Sequence, residues 1–111
     1  MIEAAQQIGL PVSLERVRGW RRLTDRQLFD RTFEGAPAYR GRLLVWNAYV
    51  GYSSTPAVIH ASQLAAFVAN HATAYGEDFF SGDVLILGLD DGAIFLFHHA
   101  GLFAHVRRPS S

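Results

Sequence analysis

Three apolar runs separated by two tight-turn signals occupy residues 79–108, and they constrain the fold more than any other stretch of the chain. The runs are residues 83–89, 93–99 and 102–106. The Asp-Asp-Gly sequence at residues 90–92 is typical of a three-residue hairpin loop in which glycine supplies a positive φ. The Ala-Gly pair at residues 100–101 supplies the second turn. The sequence therefore predicts a self-contained antiparallel meander of three strands.

A capping box begins the helix with the strongest local signals. Thr24 and Gln27 are spaced so that the threonine hydroxyl accepts a hydrogen bond from the Gln27 amide while the glutamine side chain reaches back. The residues behind the cap form one helix face: Leu28, Phe29, Thr32 and Phe33. Gly35 and Pro37 stop the helix. We predict this helix over residues 25–34.

The middle of the chain predicts two strands and the main helix. Residues 42–50 are apolar on both faces, which suits a strand covered on both sides, and residues 57–60 form a short second strand. Residues 62–75 carry apolar side chains at spacings of three and four, which indicates a helix packed on the sheet. Gly76 stands where a left-handed helix terminator belongs.

The front of the chain predicts two further short helices. Residues 2–8 make two helical turns, and a helix this short needs packing to persist. Ser13 can cap a second short helix that carries Leu14 and Val17 inward. Gly19 weakens or ends that helix.

The composition is that of one globular domain over residues 1–111. Of the 111 residues, 50% are apolar and 18% are charged, the opposite of a disordered segment. We predict an α+β fold in which an antiparallel sheet, with the three-stranded meander at its C-terminal end, packs against two to three helices. No membrane-length apolar run or signal sequence is found, so we expect a cytoplasmic protein without a membrane partner. Cysteine is absent, which excludes disulfides and thiolate metal sites.

Basic residues concentrate in the front half of the chain. All ten are arginine and eight lie between Arg16 and Arg42, whereas five of the ten acidic residues lie between Glu77 and Asp91. Such arginines either form a solvated helix face or bind phosphates or an acidic protein. The formal net charge of zero favours a protein partner over nucleic acid, and arginine and tryptophan are common at interface hot spots. The predicted partner-binding residues are Arg18, Trp20, Arg21, Arg22, Asp90 and Asp91.

Five histidines raise the question of a metal site. His98 and His99 are adjacent on a predicted strand, so their side chains point to opposite faces and cannot bind one ion while the strand stays regular. With a two-residue turn, His98 and His105 share a face, and a third ligand would come from His60 or His71. No dense ligand spacing supports this set. We predict that the histidines are half-buried and hydrogen-bonded or lie at an interface. We predict no cofactor and no metal, and retain only His98 and His105 as metal candidates.

No catalytic motif stands out in the sequence. Asp83 and Asp91 lie at opposite ends of a predicted strand, roughly 20 Å apart, so they cannot act as one acid/base dyad. Turn formation explains Asp90 and Asp91. The Ser-Ser-Thr sequence at residues 53–55 lies in a predicted turn and matches no nucleophile signature. We therefore predict no catalytic residues and favour a non-enzymatic function.

A family resemblance lies in residues 75–80, 82–86 and 92–99, whose sequences are YGEDFF, GDVLI and GAIFLFHH. These segments resemble the small immunity proteins of bacterial toxin systems, especially the SUKH superfamily of single α+β domains. Those proteins similarly run an acid-flanked strand and a tight hairpin into a strand that ends in a histidine or acidic residue. The resemblance covers about a third of the chain and implies binding to a toxin, but it transfers no binding residues.

Three functional hypotheses follow from the sequence. The first is a non-enzymatic protein-binding module, most concretely an immunity protein that inhibits a cognate bacterial toxin. The second is a small histidine-based, metal-dependent enzyme or ligand binder that uses His98, His105 and a carboxylate. The third is a nucleic-acid-binding module that uses the arginine-rich helices. A homodimer through an exposed sheet edge is compatible with all three, because nothing in the last strand before Arg107 protects that edge.

Overall fold

The computed structural model describes residues 13–34, 39–47, 56–76, 78–80 and 82–106. Within these ranges the chain forms six strands and two α-helices. In chain order they are β1 (Ser13–Arg16), α1 (Asp25–Phe33), β2 (Arg42–Asn47), β3 (Ala57–His60), α2 (Leu64–Tyr75), β4 (Val84–Gly88), β5 (Ile94–His98) and β6 (Leu102–Val106). Short 3-10 turns at Trp20–Arg22 and Ala61–Gln63 precede the two helices. The helix predicted at residues 2–8 lies outside the described residues.

One sheet contains all six strands, in the order β1-β6-β5-β4-β2-β3. Every neighbouring pair is antiparallel. The predicted meander is confirmed, because β4, β5 and β6 are adjacent and follow each other in the chain. The predicted α+β class is also confirmed. Neither helix in the described residues combines the length and the apolar character that a membrane crossing requires.

The core lies between the two helices and one face of the sheet. Phe95 and Phe97 of β5 point into it. The ring centroid of Phe95 lies 4.6 Å from that of Phe33, and the ring centroid of Phe97 lies 5.2 Å from that of Phe80. Phe79 and Phe80 are buried. They lie in the loop after α2, so this loop acts as part of the core and not as a solvated connection.

Local sequence signals predicted where α1 begins and where α2 ends. The capping box of α1 is confirmed, because the Thr24 hydroxyl accepts from the Gln27 amide at 3.1 Å and the Gln27 side chain accepts from the Thr24 amide at 2.9 Å. The predicted terminator of α2 is also confirmed, since Gly76 has φ 75°. Strand β3 has the predicted bounds. Of the strand predicted at residues 42–50, residues 48–50 lie outside the described part of the chain.

The prediction that Ser13 begins a short helix is wrong. Residues Ser13–Arg16 form strand β1, which pairs with β6 so that Ser13 lies opposite His105 and Arg16 opposite Leu102. The edge of β6 offers unpaired backbone groups, and pairing with them outweighs a weak local preference for helix. The expectation that β6 has an unprotected edge is therefore also wrong, because β1 covers it.

Candidate functional site

An arginine-lined cleft lies between the end of β1 and helix α1, and we call it the arginine groove. It has a volume of about 510 Å³. Its lining residues are Arg16, Val17, Arg18, Leu23, Gln27 and Arg31. Val17 is buried and Leu23 half-buried, whereas the three arginines are exposed. The groove therefore has an apolar floor and a cationic rim.

The walls of the arginine groove are fixed by backbone structure. Arg16 is the last residue of β1, which is held by its pairing with β6. The Val17 amide donates to the Gly101 carbonyl oxygen at 2.8 Å, which ties the floor to the turn between β5 and β6. On the other wall, α1 carries Gln27 in its capping box and Arg31 one turn further along. The backbone from which the arginine side chains project is thus fixed by β1, the β5–β6 turn and α1.

The guanidinium groups of the groove have no partner among the residues that the structure describes. Arg16, Arg18 and Arg31 form no ion pair or hydrogen bond with other side chains in the described part of the chain. Arg42, by contrast, is paired: its Nη2 lies 2.9 Å from Asp90 Oδ1. Three exposed guanidinium groups around one apolar floor can bind carboxylates or phosphates in a bidentate manner.

A second cleft adjoins the groove through Leu23, which lines both, and we call it the histidine cleft. It has a volume of about 340 Å³. Its lining residues are Trp20, Arg21, Leu23, Asp25, Leu28, Asp78, Phe80 and His99. Two predicted partner-binding residues are among them. The Arg21 guanidinium lies 5.3 Å from the Trp20 ring centroid, and the Trp20 ring packs edge-on against Phe97 at 5.3 Å.

The six predicted partner-binding residues do not form one surface. Arg18 lines the arginine groove, Trp20 and Arg21 line the histidine cleft, and Arg22 is exposed beside them. Asp90 and Asp91 lie in the loop between β4 and β5, at the opposite end of β5 from His98. The structure therefore separates the two aspartates from the arginines.

Asp90 and Asp91 have structural roles in that loop. Asp90 Oδ2 accepts from the Arg42 amide at 2.7 Å, and the hydrogen bonds from Arg42 lower the pKa of Asp90 below its ordinary value. Asp91 Oδ1 accepts from the Ala93 amide at 3.0 Å. These contacts agree with the predicted turn-forming role of both residues.

The prediction that His98 and His105 share a sheet face is wrong. His98 lies opposite Leu102, and His105 lies opposite Phe95. The turn therefore contains three residues, His99 to Gly101, and not the two on which the prediction depended. Shifting a register by one residue moves side chains to the opposite face, so His98 and His105 cannot bind one ion.

His105 is instead held on the helix side of the sheet. Its Nε2 donates to the Thr32 carbonyl oxygen at 2.6 Å, which leaves Nδ1 to accept from the Tyr39 hydroxyl at 2.8 Å. Burial lowers the pKa of His105, although the Thr32 carbonyl and the charge of Glu15 act in the other direction. This agrees with the prediction of a half-buried, hydrogen-bonded histidine.

His60 and His71, which were considered as a third ligand beside His98 and His105, have other roles. His71 is buried and its Nε2 lies 3.0 Å from Asn47 Nδ2. His60 Nδ1 caps the turn before α2, where it accepts from the Ser62 amide at 3.1 Å.

The structure brings together a different set: Asp83, His98 and His99. One ligand atom from each of the three lies within 4.8 Å of the others, and the two imidazole centroids are 4.1 Å apart. The expectation that His98 and His99 point to opposite faces is wrong, because β5 ends at His98 and His99 is the first turn residue. Strand alternation therefore does not apply to the pair.

Asp83 is the residue that sequence reasoning missed in this set. Its Oδ1 accepts from both the amide and the Nδ1 of His99, at 2.8 and 2.9 Å. Burial acts to raise the pKa of Asp83, but the hydrogen bonds from His99, together with the charges of His99 and His98, outweigh it and bring the pKa below its ordinary value. Only the pairing register of β4 and β5, which places Asp83 beside the end of β5, indicates that this aspartate lies near the two histidines.

Comparison with protein-family models, with curated proteins and with solved structures finds no match to this chain.

Proposed function

We propose that this protein is a non-enzymatic protein-binding module that holds an acidic segment of a partner in the arginine groove. The observation that carries the proposal is the placement around one apolar floor of three exposed guanidinium groups, from Arg16, Arg18 and Arg31, which have no partner within the described ranges. A segment that combines carboxylates with an apolar side chain would match both the rim and the floor. Arginine is the residue best suited to this, since its planar fork binds carboxylates with defined geometry.

We expect the arginine rim and the apolar floor to contribute unequally to the binding free energy. Each exposed carboxylate–arginine pair contributes roughly 0.2–1 kcal/mol, so three such pairs alone give weak binding. An apolar side chain that covers Val17 and Leu23 would add roughly 1.5–3 kcal/mol if it became fully buried. We therefore expect the floor to supply much of the affinity, and the arginines to supply orientation, association rate and discrimination against other partners.

In its most concrete form, the partner is a bacterial toxin and this chain is its immunity protein. The resemblance of residues 75–80, 82–86 and 92–99 to SUKH-type immunity proteins supports this form. An immunity protein would inhibit by covering the active site of the toxin. The direct test mixes the purified chain with the purified product of the adjacent gene, and it measures both complex formation and toxin activity. Absence of both a complex and inhibition would refute the immunity form.

The groove itself is tested by two charge-matched double variants. Arg18→Glu/Arg31→Glu reverses charge inside the groove, whereas Arg26→Glu/Arg40→Glu makes the same charge change at exposed positions outside its lining. The probe is a labelled peptide of alternating glutamate and leucine, followed by fluorescence anisotropy. We expect the groove variant to lose binding and the control variant to keep most of it. Equal losses in both variants would refute the groove.

A single-stranded RNA of the same length distinguishes a nucleic-acid partner. RNA binding that exceeds peptide binding and weakens steeply with salt would indicate phosphate recognition by the same arginines. That result would overturn the proposal of an acidic protein partner. Peptide binding that persists at higher salt, with little RNA binding, is the result we expect.

A further inference from the structure

We propose that Asp83, His98 and His99 form a binding site for a divalent transition-metal ion, with Zn²⁺ as the best fit. The three residues meet where the chain enters β4 and where β5 turns towards β6. Their ligand atoms lie within 4.8 Å of one another. Ligands around a tetrahedral zinc ion are about 3.3 Å apart, given metal–ligand bonds of about 2.0–2.1 Å. Small rotations of surface side chains would close that difference.

His99 already has the orientation of a metal-binding histidine. Its Nδ1 lies 2.9 Å from Asp83 Oδ1, and its own amide donates to the same oxygen. In the metal-free state this contact is a hydrogen bond from Nδ1 to the carboxylate. When an ion binds, it takes the place of the Nδ1 proton, so that His99 Nδ1 and Asp83 Oδ1 both become ligands and the ring proton moves to Nε2. These two donor atoms already lie close to the spacing of ligands around a tetrahedral zinc ion.

His98 can join the site at a small cost. Its Nδ1 accepts a hydrogen bond from the Ala100 amide at 3.1 Å. Metal binding through Nδ1 displaces that hydrogen bond, and binding through Nε2 moves the ring proton to Nδ1 and has the same effect. Ala100 is exposed, so its amide can donate to water instead. The Ala100 amide is therefore a built-in reporter of metal binding.

The donor set selects the class of ion. Two imidazole nitrogens and one carboxylate suit zinc and neighbouring transition metals, whereas Mg²⁺ and Ca²⁺ prefer oxygen ligands. Three protein ligands leave a fourth position open on a tetrahedral ion. His99 also lines the histidine cleft beside Arg21. A water molecule or an anionic group that completes the coordination can therefore reach the ion from this cleft.

The site is tested by isothermal titration of ZnCl₂ into tag-free protein. We expect saturation at one zinc ion per chain and no measurable binding of MgCl₂. His98→Ala and His99→Ala should each weaken zinc binding by more than about tenfold, and Asp83→Asn by about tenfold. His60→Ala is the matched control, since His60 is also at the surface but lies outside the cluster, and it should leave zinc binding unchanged. Wild-type affinity in both His98→Ala and His99→Ala would overturn the proposal.

A measurement on the unmodified protein covers the case in which a variant fails to fold. Zinc should shift the ¹⁵N–¹H resonances of Ala100 and His99 in a nuclear magnetic resonance titration. The amide of His60 should stay in place. Shifts at His60 with no change at Ala100, or no saturable shift anywhere, would overturn the proposal. The groove variant Arg18→Glu/Arg31→Glu should bind zinc normally, so a failure of the groove and a failure of the metal site remain distinguishable.

Discussion

Replacing Asp25 by alanine should destabilise the fold more than any other exchange of one carboxylate in α1. Asp25 is the first residue of the helix. Its Oδ2 accepts from the Phe79 amide at 2.7 Å and its Oδ1 from the Phe80 amide at 3.1 Å. Both phenylalanine rings are buried in the core. One carboxylate thus anchors the loop that places two large core side chains.

The magnitude follows from these two contacts. A hydrogen bond to a charged group contributes roughly 1.5–3 kcal/mol, and a carboxylate in the first turn of a helix adds roughly 0.3–1 kcal/mol. Asp25→Ala also leaves two partly buried amides without an acceptor. Because Asp25 is half-buried, we take the low end of about 1.5 kcal/mol for each hydrogen bond, and we expect the free energy of unfolding to fall by about 3–4 kcal/mol. Asp25→Asn keeps one acceptor oxygen, so it should lose about half as much.

Urea denaturation at pH 7, followed by tryptophan fluorescence, measures these losses. The matched control is Asp30→Ala in the same helix. The Asp30 side chain is 68% exposed, and its only ion pair within the described residues is with Arg26 at 4.0 Å. Asp30→Ala should therefore lower the free energy of unfolding by no more than about 0.5 kcal/mol. A cost for Asp25→Ala no larger than that of Asp30→Ala would refute the anchoring role.

Three further changes test other contacts by the same denaturation assay. Gly101→Ala should cost clearly more than Gly19→Ala. Both glycines have positive φ, but an added Cβ at Gly101 would lie 2.6 Å from Trp20 Cδ1, whereas at Gly19 it meets open space; equal costs would contradict the packing argument. Burial lowers the folded-state pKa of His105, so the unfolded chain takes up a proton at this histidine more readily than the folded protein. The contribution of His105 to stability is therefore present above about pH 6.5 and is lost as the pH falls through the folded-state pKa. His105→Gln should flatten this fall, and an unchanged pH profile would contradict it. Thr24→Ala should cost about 1 kcal/mol by removing the cap of α1; no measurable loss would contradict the role of the capping box.

The features that the sequence predicted well depend on residues close together in the chain. The capping box of α1 needs only Thr24 and Gln27, and the end of α2 needs only Gly76. The meander needs apolar runs and turn residues in sequence. Each of these signals is complete within a few residues, so no distant contact was required to read it.

The features that were missed depend on partners far along the chain. Residues Ser13–Arg16 have no decisive local preference, and the open edge of β6, almost ninety residues later, turns them into a strand. The arginine groove could not be outlined from sequence for the same reason. Arg16 and Arg18 follow from the position of β1, whereas Arg31 comes from α1. Composition indicated arginine-based recognition, but only the sheet order brings these side chains to one surface.

The turn between β5 and β6 connects both candidate sites. The Gly101 amide donates to the His98 carbonyl oxygen at 2.8 Å, which closes the three-residue turn. That extra residue removes His99 from the strand and allows it to meet His98 and Asp83. The Gly101 carbonyl then holds Val17 in the floor of the arginine groove. A difference of one residue in a single turn therefore decides which histidines are neighbours and also supports the surface beside them.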